Sequence, residues 1–178
     1  MSEVPRTIVV MGVCGCGKSL IGALLAHRLG GIFEDADDLH PQSNKAKMSA
    51  GIPLTDEDRW PWYRILRERI IEQRATGKVQ VLACSALKEA YREMLRDGDS
   101  SCDLVFVHLE GSRQIIGERI NARSGHFMPP SLLDSQFAVL EEPREAIVVD
   151  VSGTPEEIVT EIINTLPGSL SPGSNSKS

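Results

Sequence analysis

The sequence predicts a three-layer α/β fold, in which a five-stranded parallel sheet carries helices on both faces. Two observations support this prediction. Five short runs of β-branched and apolar residues alternate with longer segments whose apolar residues recur at helical spacing, without internal repeats. The 178 residues, 41% hydrophobic and 25% charged, suit a single domain with a sizeable core. Alternating strands and helices pair in parallel through right-handed crossovers, so ligands are expected where the carboxyl ends of the strands meet.

The first strand, the loop after it and the first helix form a phosphate-binding motif. Thr7 to Met11 is typical of a strand buried on both faces, and Ser19 to Leu29 has apolar residues at helical spacing. Between them, GVCGCGKS matches the pattern G-x-x-x-x-G-K-[ST], which works only between a buried strand and the start of a helix. A glycine-rich turn before an ordinary helix is the alternative. Since both flanks are present, we predict a P-loop NTPase fold that binds a nucleoside triphosphate.

Each residue type in this octet has a physical role. The glycines allow backbone conformations in which successive N–H groups point at phosphate oxygens, at the electropositive end of a helix. Lys18 is expected to reach the β- and γ-phosphates, and Ser19 to ligate Mg²⁺. The predicted nucleotide-binding residues are Gly12, Val13, Cys14, Gly15, Cys16, Gly17, Lys18 and Ser19.

An acidic turn follows the second strand. Ile32 to Asp38 is predicted to be a short strand that breaks into this turn, which places Asp35 and Asp37 at the ligand-binding edge of the sheet. Further along, Thr55 and Asp58 have the spacing of a capping box, which predicts the start of a long helix.

The remaining elements complete the alternation. They are a strand at Val79 to Cys84, a helix that carries Tyr91 and Arg92, a strand at Leu104 to Leu109, a helix from Ser112 to about Ala122, a helix through Gln136, a strand at Ala146 to Val151, and a final helix from Thr154 with Pro155 at its first position. Residues 124–130 contain too much glycine and proline to continue a helix. We predict one domain over residues 1–166 and a disordered tail over 167–178, where hydrophobicity is low.

Charge, cysteines and hydropathy exclude several classes of protein. The net charge of −6 argues against a general binder of nucleic acid or membrane surfaces, which needs clustered positive charge. The cysteines at 14, 16, 84 and 102 match no zinc or disulfide framework and fit a reducing cytosol. No stretch approaches about 18 consecutive apolar residues, and the N-terminus lacks the features of a secretion signal. We expect a cytoplasmic protein without a nucleic-acid or membrane partner, whose oligomeric state, a homodimer included, the sequence leaves open.

A phosphate loop alone does not distinguish a kinase from a switch GTPase or a motor ATPase. The residues that follow the other strands must therefore distinguish these classes. The sequence contains neither an N-K-x-D-like base reader nor a D-x-x-G switch. Polar residues instead gather after the second and third strands, where a small acceptor would face the γ-phosphate. There, Lys88 and Arg92 are four residues apart and are predicted to share one helix face.

Motifs from about residue 7 to residue 166 resemble gluconate kinase. They are GVCGCGKS, DADDLHP, the spaced Asn44, Lys47-Met48 and Gly51, the run PLTD with DR and PW, CSALKEAYR, RSGHFMPP, and QF with LEEP. CSALK-x-x-YR and R-x-GHF are far more specific to this family than the phosphate loop is. The resemblance implies an adenylate-kinase-like fold with a short lid at about 123–130. It also implies phosphorylation of D-gluconate by ATP with Mg²⁺, giving 6-phosphogluconate for the pentose phosphate pathway.

The sequence departs from the family at three positions. The family usually has serine where Cys14 and Cys16 stand, and commonly a basic or apolar residue where Trp60 stands. Because the two loop positions contribute mainly backbone N–H groups, their cysteines are expected to alter sensitivity to oxidation more than catalysis.

Roles at the acceptor site follow from residue chemistry and from the resemblance. Asp37 is predicted to accept or orient the proton of the primary hydroxyl, and Asp35 to contact Mg²⁺ through water. Aspartates of a turn or helix cap are the alternative, and which carboxylate is the base stays open. Lys88 and Arg92, with Arg59, are predicted to hold the gluconate carboxylate, against the alternative of a solvated helix face.

The remaining predictions concern histidines and the lid. His40 and His126 are predicted to bond substrate hydroxyls, with a structural role as the alternative, and Gln136 joins them by resemblance. Arg119 and Arg123 are predicted to stabilise charge on the transferring phosphoryl group when 124–130 closes. The predicted catalytic residues are Lys18, Asp37 and Arg123.

Two other functions remain open from the sequence. One is a kinase of another small hydroxy acid such as shikimate, which better turnover on that acid would support. The other is a nucleotide-dependent regulatory module, whose ATP affinity no polyhydroxy acid would alter.

Overall fold

The computed structural model describes residues 4–96, 103–122 and 130–168, and within them it has five strands and seven α-helices. The strands are β1 (Thr7–Met11), β2 (Ile32–Asp35), β3 (Gln80–Ala83), β4 (Leu104–Glu110) and β5 (Ala146–Asp150). The helices are α1 (Lys18–Leu29), α2 (Gln42–Ser49), α3 (Asp56–Arg74), α4 (Glu89–Arg96), α5 (Arg113–Ala122), α6 (Pro130–Val139) and α7 (Pro155–Thr165). A short 3-10 helix, Ala36–Leu39, follows β2.

The five strands form one parallel sheet in the order β2-β3-β1-β4-β5. β1 lies at the centre, where Val9 aligns with Leu82 of β3 and with Phe106 of β4. The predicted parallel sheet is therefore confirmed. Its order brings the carboxyl ends of β1, β2 and β3 next to one another, which sequence alternation alone does not specify.

Alternate residues of β1 face two separate apolar cores. Ile8 and Val10 pack into the core under α1, α5 and α7, whereas Val9 and Met11 pack into the core under α3 and α4. All five residues of β1 are buried. Helices thus cover both faces of the sheet, which confirms the predicted three-layer architecture.

Local signals set the starts of two long helices. The Thr55 hydroxyl accepts a hydrogen bond from the Asp58 N–H (3.3 Å), and the Asp58 carboxylate accepts one from the Thr55 N–H (3.0 Å). Thr154 and Glu157 make the same reciprocal pair at the start of α7. These capping boxes satisfy N–H groups that the first helical turn leaves without partners.

α2 is a helix that the sequence analysis did not predict. Within Gln42–Ser49 only Asn44 is buried. Because α2 lacks an apolar stripe, hydrophobic periodicity does not reveal it.

Lys88 and Arg92 do not share a helix face, so that prediction is wrong. α4 begins at Glu89, and Lys88 belongs to the preceding turn. Lys88 keeps 32% of its side chain exposed, whereas Arg92 is fully buried. The two side chains have different partners, because Lys88 donates to Asp56 whereas Arg92 donates to the backbone carbonyls of Ala86 and Glu141.

Two predictions lie outside the described residues. They are the lid at about 123–130, apart from Pro130 at the start of α6, and the disordered tail, apart from residues 167 and 168.

Candidate active site

The carboxyl ends of β1, β2 and β3 form a polar cleft of about 190 Å³. Its walls come from the phosphate loop, the acidic turn after β2 and the end of β3, and they comprise Cys14, Gly15, Gly17, Lys18, Ser19, Leu20, Asp35, Asp37, Ala83, Cys84 and Ser85. The fold thus brings the phosphate loop and both predicted aspartates to one place. This is the edge at which parallel α/β sheets bind ligands.

The phosphate loop requires glycine at its turning points. Gly15 and Gly17 have positive φ angles of 79° and 99°. A Cβ at Gly15 would also lie 2.5 Å from Ile120 of α5, which no real Cβ tolerates. Gly17 caps α1, so the N–H groups of the first turn are turned toward the cleft. Backbone geometry, rather than side-chain chemistry, builds this anion site.

Lys18 lies against the loop that precedes it. Its Nζ donates to the carbonyl oxygens of Gly12 (3.0 Å) and Val13 (2.9 Å). The ammonium is therefore held at the cleft by neutral acceptors, and a phosphate oxygen is a stronger, charged acceptor for the same donors. This position suits the role of a phosphate-binding cation.

Ser19 and Asp35 form the oxygen-rich corner of the cleft. The Ser19 hydroxyl donates to Asp35 Oδ2 (2.6 Å), while Asp35 Oδ1 accepts the Asp37 N–H (3.0 Å). The described residues contain no group of three or more His, Cys, Asp or Glu side chains that could hold a metal by themselves. A hydroxyl with one carboxylate nevertheless fits Mg²⁺, which takes few protein oxygens and fills its shell with water and phosphate.

Asp37 projects into the cleft, with 83% of its side chain exposed. Partial loss of hydration beside the surrounding loops, followed by the negative charge of Asp35, raises the pKa of Asp37. A raised carboxyl pKa increases proton affinity, which suits a group that accepts a proton during a reaction. Asp35 has its two oxygens engaged by Ser19 and by backbone, so Asp37 is the freer of the two carboxylates.

His40 is held in a fixed ring orientation. It stacks on Trp62 with ring centroids 3.8 Å apart, and only 4% of its side chain is exposed. Asn44 Nδ2 lies 3.3 Å from His40 Nδ1, and its other proton goes to the Asp58 carbonyl (2.9 Å). Desolvation, then the charges of Arg59 and Lys45, lowers the pKa of His40 to about 4. Near neutral pH the ring is uncharged.

With Nδ1 accepting from Asn44, the ring proton of His40 resides on Nε2. Nε2 lies 3.9 Å from Asp37 Oδ1, which is too long for a direct hydrogen bond. His40 therefore lies beside the acidic turn as a neutral ring whose Nε2 donor is on the side of Asp37. Its predicted contact with a substrate hydroxyl stays a prediction.

A second polar group lies beside α3 and α4. Asp56 accepts hydrogen bonds from Lys88 Nζ (3.1 and 3.2 Å) and from the Tyr91 hydroxyl, and lies 3.8 Å from Arg59 Nη1. Arg59 and Lys88 each keep 32% of their side chains exposed. The hydrogen bonds from Tyr91 and then Lys88 lower the pKa of Asp56, and the bond to Asp56 raises the pKa of Lys88. The two cations present accessible donors, which suits an acceptor carboxylate.

Arg92 differs from Lys88. Its Nη1 donates to the Ala86 carbonyl (2.7 Å), its Nη2 to the Glu141 carbonyl (2.8 Å) and its Nε to Glu89 Oε2 (2.9 Å). The guanidinium is 0% exposed, and its hydrogen bonds link α4 to the turn before it and to the segment after α6. The expected contact between Arg92 and an acceptor carboxylate would require these bonds to be exchanged.

Four other residues were predicted to belong to the site, namely Gln136, Arg119, Arg123 and His126. Gln136 on α6 accepts a hydrogen bond from the Cys14 N–H (3.3 Å), so it contacts the phosphate loop rather than the acceptor side of the cleft. Arg119 on α5 lies near the same loop, where its charge acts to lower the pKa of Cys16. Arg123 and His126 lie outside the described residues.

The loop cysteines have a chemical environment that the sequence did not reveal. Burial raises the pKa of both Cys14 and Cys16, and this outweighs the opposing charge of Lys18. Thiolate is the form that reacts with oxidants. The raised pKa values leave less thiolate near neutral pH, which lowers the reactivity of both cysteines toward oxidants. The expected effect on oxidation sensitivity stays a prediction.

Several residues of the site had no predicted role. Asp56, Ser85, Asn44 and Glu141 stand within motifs of the family resemblance, but motif membership did not indicate their contacts. Asp56 follows the cap residue Thr55 and looks like an ordinary first-turn acid of a helix. Only its spatial neighbour Lys88, far along the chain, reveals its part in the cation group.

Comparison with known proteins places this site in context. The family model for shikimate kinase matches residues 14–167. A probable gluconokinase of Xenopus tropicalis is 48% identical over 171 residues, covering 87% of this chain and 90% of the relative. The gluconokinase of Gluconobacter oxydans (strain 621H) is 47% identical over 162 residues, covering 89% and 90%.

Solved structures agree with these relatives. The crystal structure of a gluconokinase from Sinorhizobium meliloti 1021 matches with a TM-score of 0.79 and 47% identity, covering 89% of this chain and 90% of that one. Shikimate kinase from Aquifex aeolicus matches with a TM-score of 0.57 and 18% identity over 88% of this chain and 93% of that one, which shows a shared fold alone. No helix among the described residues is long and apolar enough to cross a membrane.

Proposed function

Because the chain belongs to the gluconokinase family, within the wider group of P-loop kinases, we propose that it transfers the γ-phosphate of ATP to D-gluconate. The product is 6-phospho-D-gluconate. One observation of the structure carries this proposal: a carboxylate with a raised pKa, Asp37, stands in the same cleft as the phosphate loop. A phosphate loop without a proton acceptor would suit a binding module, whereas this pair suits phosphoryl transfer to a hydroxyl.

The phosphate loop would bind and orient the triphosphate. The N–H groups of Gly15, Gly17, Lys18 and Ser19 would face the phosphates, whereas those of Gly12, Cys14 and Cys16 already have partners within the protein. Lys18 would exchange its two carbonyl partners for phosphate oxygens. Ser19 and Asp35 would hold Mg²⁺, directly or through water. When bound, this ion neutralises charge on the phosphate oxygens. Arg119 approaches the loop from α5 and adds positive charge there.

Asp37 would accept the proton of the primary hydroxyl. As that proton moves to the carboxylate, the hydroxyl oxygen forms its bond to the γ-phosphorus and the bond to the β,γ-bridging oxygen breaks, leaving ADP. His40, neutral and with its proton on Nε2, lies beside Asp37 and offers a donor to a substrate hydroxyl or to a water. The acceptor is thereby oriented without adding a charge that would lower the proton affinity of Asp37.

Lys88 and Arg59 would bind the other end of gluconate. Both side chains are part-exposed, and both currently share the carboxylate of Asp56. A second carboxylate can be accommodated by the same donors because guanidinium and ammonium groups have several N–H bonds each. Gluconate has a primary hydroxyl at one end and a carboxylate at the other, whereas a neutral sugar lacks the carboxylate, so this division favours gluconate over a neutral sugar.

We also place this reaction in a reducing compartment such as the cytosol. Cys16 and Cys84 are buried cysteines outside any disulfide. Cys14 and Cys16 both lie within the phosphate loop, where cross-linking would distort the anion site.

Shikimate is the competing acceptor, because the shikimate kinase family model matches most of the chain. The two gluconokinases described above are 48% and 47% identical to this chain, whereas the structural match to shikimate kinase is at 18% identity. The comparison therefore favours gluconate.

A panel assay tests the proposal. ADP release is measured with ATP and Mg²⁺ on D-gluconate, other sugar acids, glucose and shikimate, and the product is identified by phosphorus NMR. We expect the highest kcat/KM on gluconate and a phosphomonoester on its primary carbon. Higher kcat/KM on shikimate would replace the proposed acceptor, and no turnover on any acid would favour a binding module.

Lys18→Ala provides the internal test of the phosphate loop. We expect a fall in kcat of about 10²–10³-fold or more, because the variant lacks a cation at the transferring phosphoryl group. Lys78→Ala is the matched control, since Lys78 is exposed before β3 and outside the cleft. Equal activity of the two variants would contradict the assignment of the loop.

A further inference from the structure

The turn between β3 and α4, residues 85–88, contains a strained residue. Ala86 has a φ of 44°, and among the described residues it is the one non-glycine with a positive φ. It is also completely buried. A side chain with a Cβ disfavours this left-handed conformation, so the conformation persists only where neighbouring groups impose it. Neighbouring groups must therefore hold the turn in this conformation.

Arg92 is the first of these groups. Its Nη1 donates to the carbonyl of Ala86 at 2.7 Å, directly at the strained residue. The rest of the guanidinium is fixed by Glu89, whose Oε2 lies 2.9 Å from Nε and 2.8 Å from Nη2. A fully buried cation with a charged partner and directed donors is a rigid support.

Glu141 is the second group. Its N–H donates to the Leu87 carbonyl (2.8 Å), its Oε2 accepts the Glu89 N–H (2.9 Å), and its carbonyl accepts from Arg92 Nη2 (2.8 Å). Residues 140 and 141 follow the end of α6 directly. The segment after α6 is thus bonded to the end of the turn that leads into α4, at Leu87 and Glu89, and to the guanidinium that supports the turn.

The 85–88 turn contacts both the phosphate loop and the proposed acceptor side. At one end, the Ser85 carbonyl accepts the N–H of Gly12, the first residue of the phosphate loop (3.3 Å), and Ser85 lines the cleft. At the other end, Lys88 presents its ammonium to Asp56 and the acceptor side. A rotation at Ala86 would move these two contacts relative to each other.

α6 adds a second link to the phosphate loop. Gln136 accepts the Cys14 N–H at 3.3 Å, five residues before Glu141. One helix with the segment after it therefore contacts the phosphate loop at one point and the strained turn at another.

We propose that Arg92 is a positioning residue: with Glu89 and Glu141 it holds the 85–88 turn in its left-handed form, and so places Lys88 for the acceptor carboxylate. The proposal rests on the proposed gluconate kinase activity for its kinetic readout. It differs from direct binding of gluconate by Arg92, since here the guanidinium acts through the backbone of Ala86 and stays within the protein.

Ala86→Gly separates these roles, because glycine takes positive φ without steric cost. Four proteins are compared: wild type, Arg92→Lys, Ala86→Gly and the double variant. In Arg92→Lys a single ammonium replaces the planar guanidinium, and it cannot reach Ala86, Glu89 and Glu141 together. We expect KM for gluconate to rise roughly tenfold or more, with KM for ATP changing less. Ala86→Gly alone should stay near wild type.

The double variant decides the proposal. If Arg92 acts by imposing the turn, Ala86→Gly recovers most of the lost gluconate affinity, because the turn no longer needs the support. If Arg92 binds gluconate directly, or merely stabilises the fold, KM in the double variant stays as high as in Arg92→Lys, and the proposal is overturned. Thermal unfolding of all four proteins shows whether a change in KM is accompanied by a change in overall stability.

Should Arg92→Lys fail to fold, Glu89→Gln replaces it, since this variant keeps the shape of the carboxylate and weakens its bonds to Arg92. The same rescue by Ala86→Gly is required.

Amide hydrogen exchange supplies a readout that does not depend on gluconate. Exchange at Gly12 and Glu141, whose N–H groups bond the turn, should accelerate in the Arg92 or Glu89 variant and slow again in the double variant. Unchanged exchange would overturn the proposal even if the enzyme uses gluconate. Loss of activity on gluconate in the wild type, with the expected exchange pattern, would refute the proposed function and leave the positioning role in place.

Discussion

Asp37 has two properties that suit a catalytic base, namely accessibility to substrate and a raised pKa. It is open to the cleft, so a substrate can reach it, and its pKa is raised by reduced hydration and by Asp35. In a solvated surface turn an aspartate would keep a low proton affinity, and would be a poor base for an alcohol. The acidic turn therefore has a chemical consequence beyond capping the 3-10 helix.

Asp37→Asn should lower kcat by about 10²–10⁴-fold while KM for gluconate changes little, because the amide keeps the shape but accepts no proton. Steady-state kinetics measure both constants. Asp38→Asn is the matched control, since Asp38 is the exposed neighbour outside the cleft lining. Near-normal kcat in the Asp37 variant would show that another group takes the proton.

The pH profile gives a separate test of Asp37. The base must be ionised, so kcat/KM should fall on the acid side as Asp37 becomes protonated, with a midpoint above the ordinary 3.8 of an aspartate. Because a raised carboxyl pKa means that the folded state disfavours the charge, Asp37→Asn should not lower the unfolding temperature at pH 7. The acid limb should be absent from the residual activity of the variant.

Lys88→Ala should raise KM for gluconate by about 10- to 150-fold, equivalent to about 1.5–3 kcal/mol for a lost charge-assisted hydrogen bond. ATP binding should barely change, because Lys88 lies on the acceptor side and outside the phosphate loop. Lys78→Ala serves as control. A selective loss of ATP affinity in the Lys88 variant would invalidate the division between the two ends of the cleft.

At the scale of elements, the junction of α2 and α3 shapes the acceptor side. Lys47 of α2 donates to both oxygens of Asp58 (2.8 and 2.9 Å), and Asn44 donates to the Asp58 carbonyl. Asp58 also completes the capping box with Thr55. One residue thus starts α3 and fastens α2 to it, and the same Asn44 orients His40. The position of His40 follows from this junction.

Asp58 gives this junction a defined pH dependence. Its bond to Lys47 and then the Thr55 N–H lower its pKa from 3.8 to about 2. A lowered carboxyl pKa stabilises the fold fully above the unfolded value and loses that contribution as the pH falls through about 2. Asp58→Asn should therefore lower the free energy of unfolding at pH 6, and its difference from wild type should shrink toward pH 2.

Urea unfolding across this pH range measures the effect. Glu57→Gln is the control, because Glu57 is an exposed acid in the same first turn. A difference between Asp58→Asn and wild type that stays constant down to pH 2 would exclude the proposed ionic contribution.

At the scale of the whole molecule, the site is assembled from four segments that lie far apart in the sequence and that the fold brings together. The phosphate loop leaves the central strand β1, the acidic turn leaves β2, the 85–88 turn leaves β3, and α6 reaches the loop from the side of α5. Ligands that contact several of these segments bind the folded state alone, so they should stabilise the entire domain.

A nonhydrolysable ATP analogue with Mg²⁺ should raise the unfolding temperature. At a hundredfold excess over Kd, stabilisation of about 2.7 kcal/mol corresponds to about 5–11 °C for a domain of this size. Calorimetry of wild type and Lys18→Ala at equal ligand concentration measures the shift. An equal shift in both proteins would indicate that the nucleotide binds outside the phosphate loop.

The sequence by itself determined the parts of this protein that depend on neighbours in the chain. The phosphate loop combines glycines that permit positive φ with a flanking strand and helix, and all of these lie within residues 7–29. The capping boxes at Thr55 and Thr154 need partners three residues away. Alternating strands and helices predicted the parallel sheet, because crossover connections leave few other arrangements.

Only the tertiary structure decided which polar side chains face the cleft. Asp56 meets Lys88 across 32 positions, Arg92 meets Glu141 across 49, and Cys14 meets Gln136 across 122. Arg92 was expected at the acceptor because a planar guanidinium matches a carboxylate with two hydrogen bonds. Buried donors must instead find partners within the protein, and those partners become adjacent only when the sheet forms, so no local pattern distinguishes the buried Arg92 from the accessible Lys88.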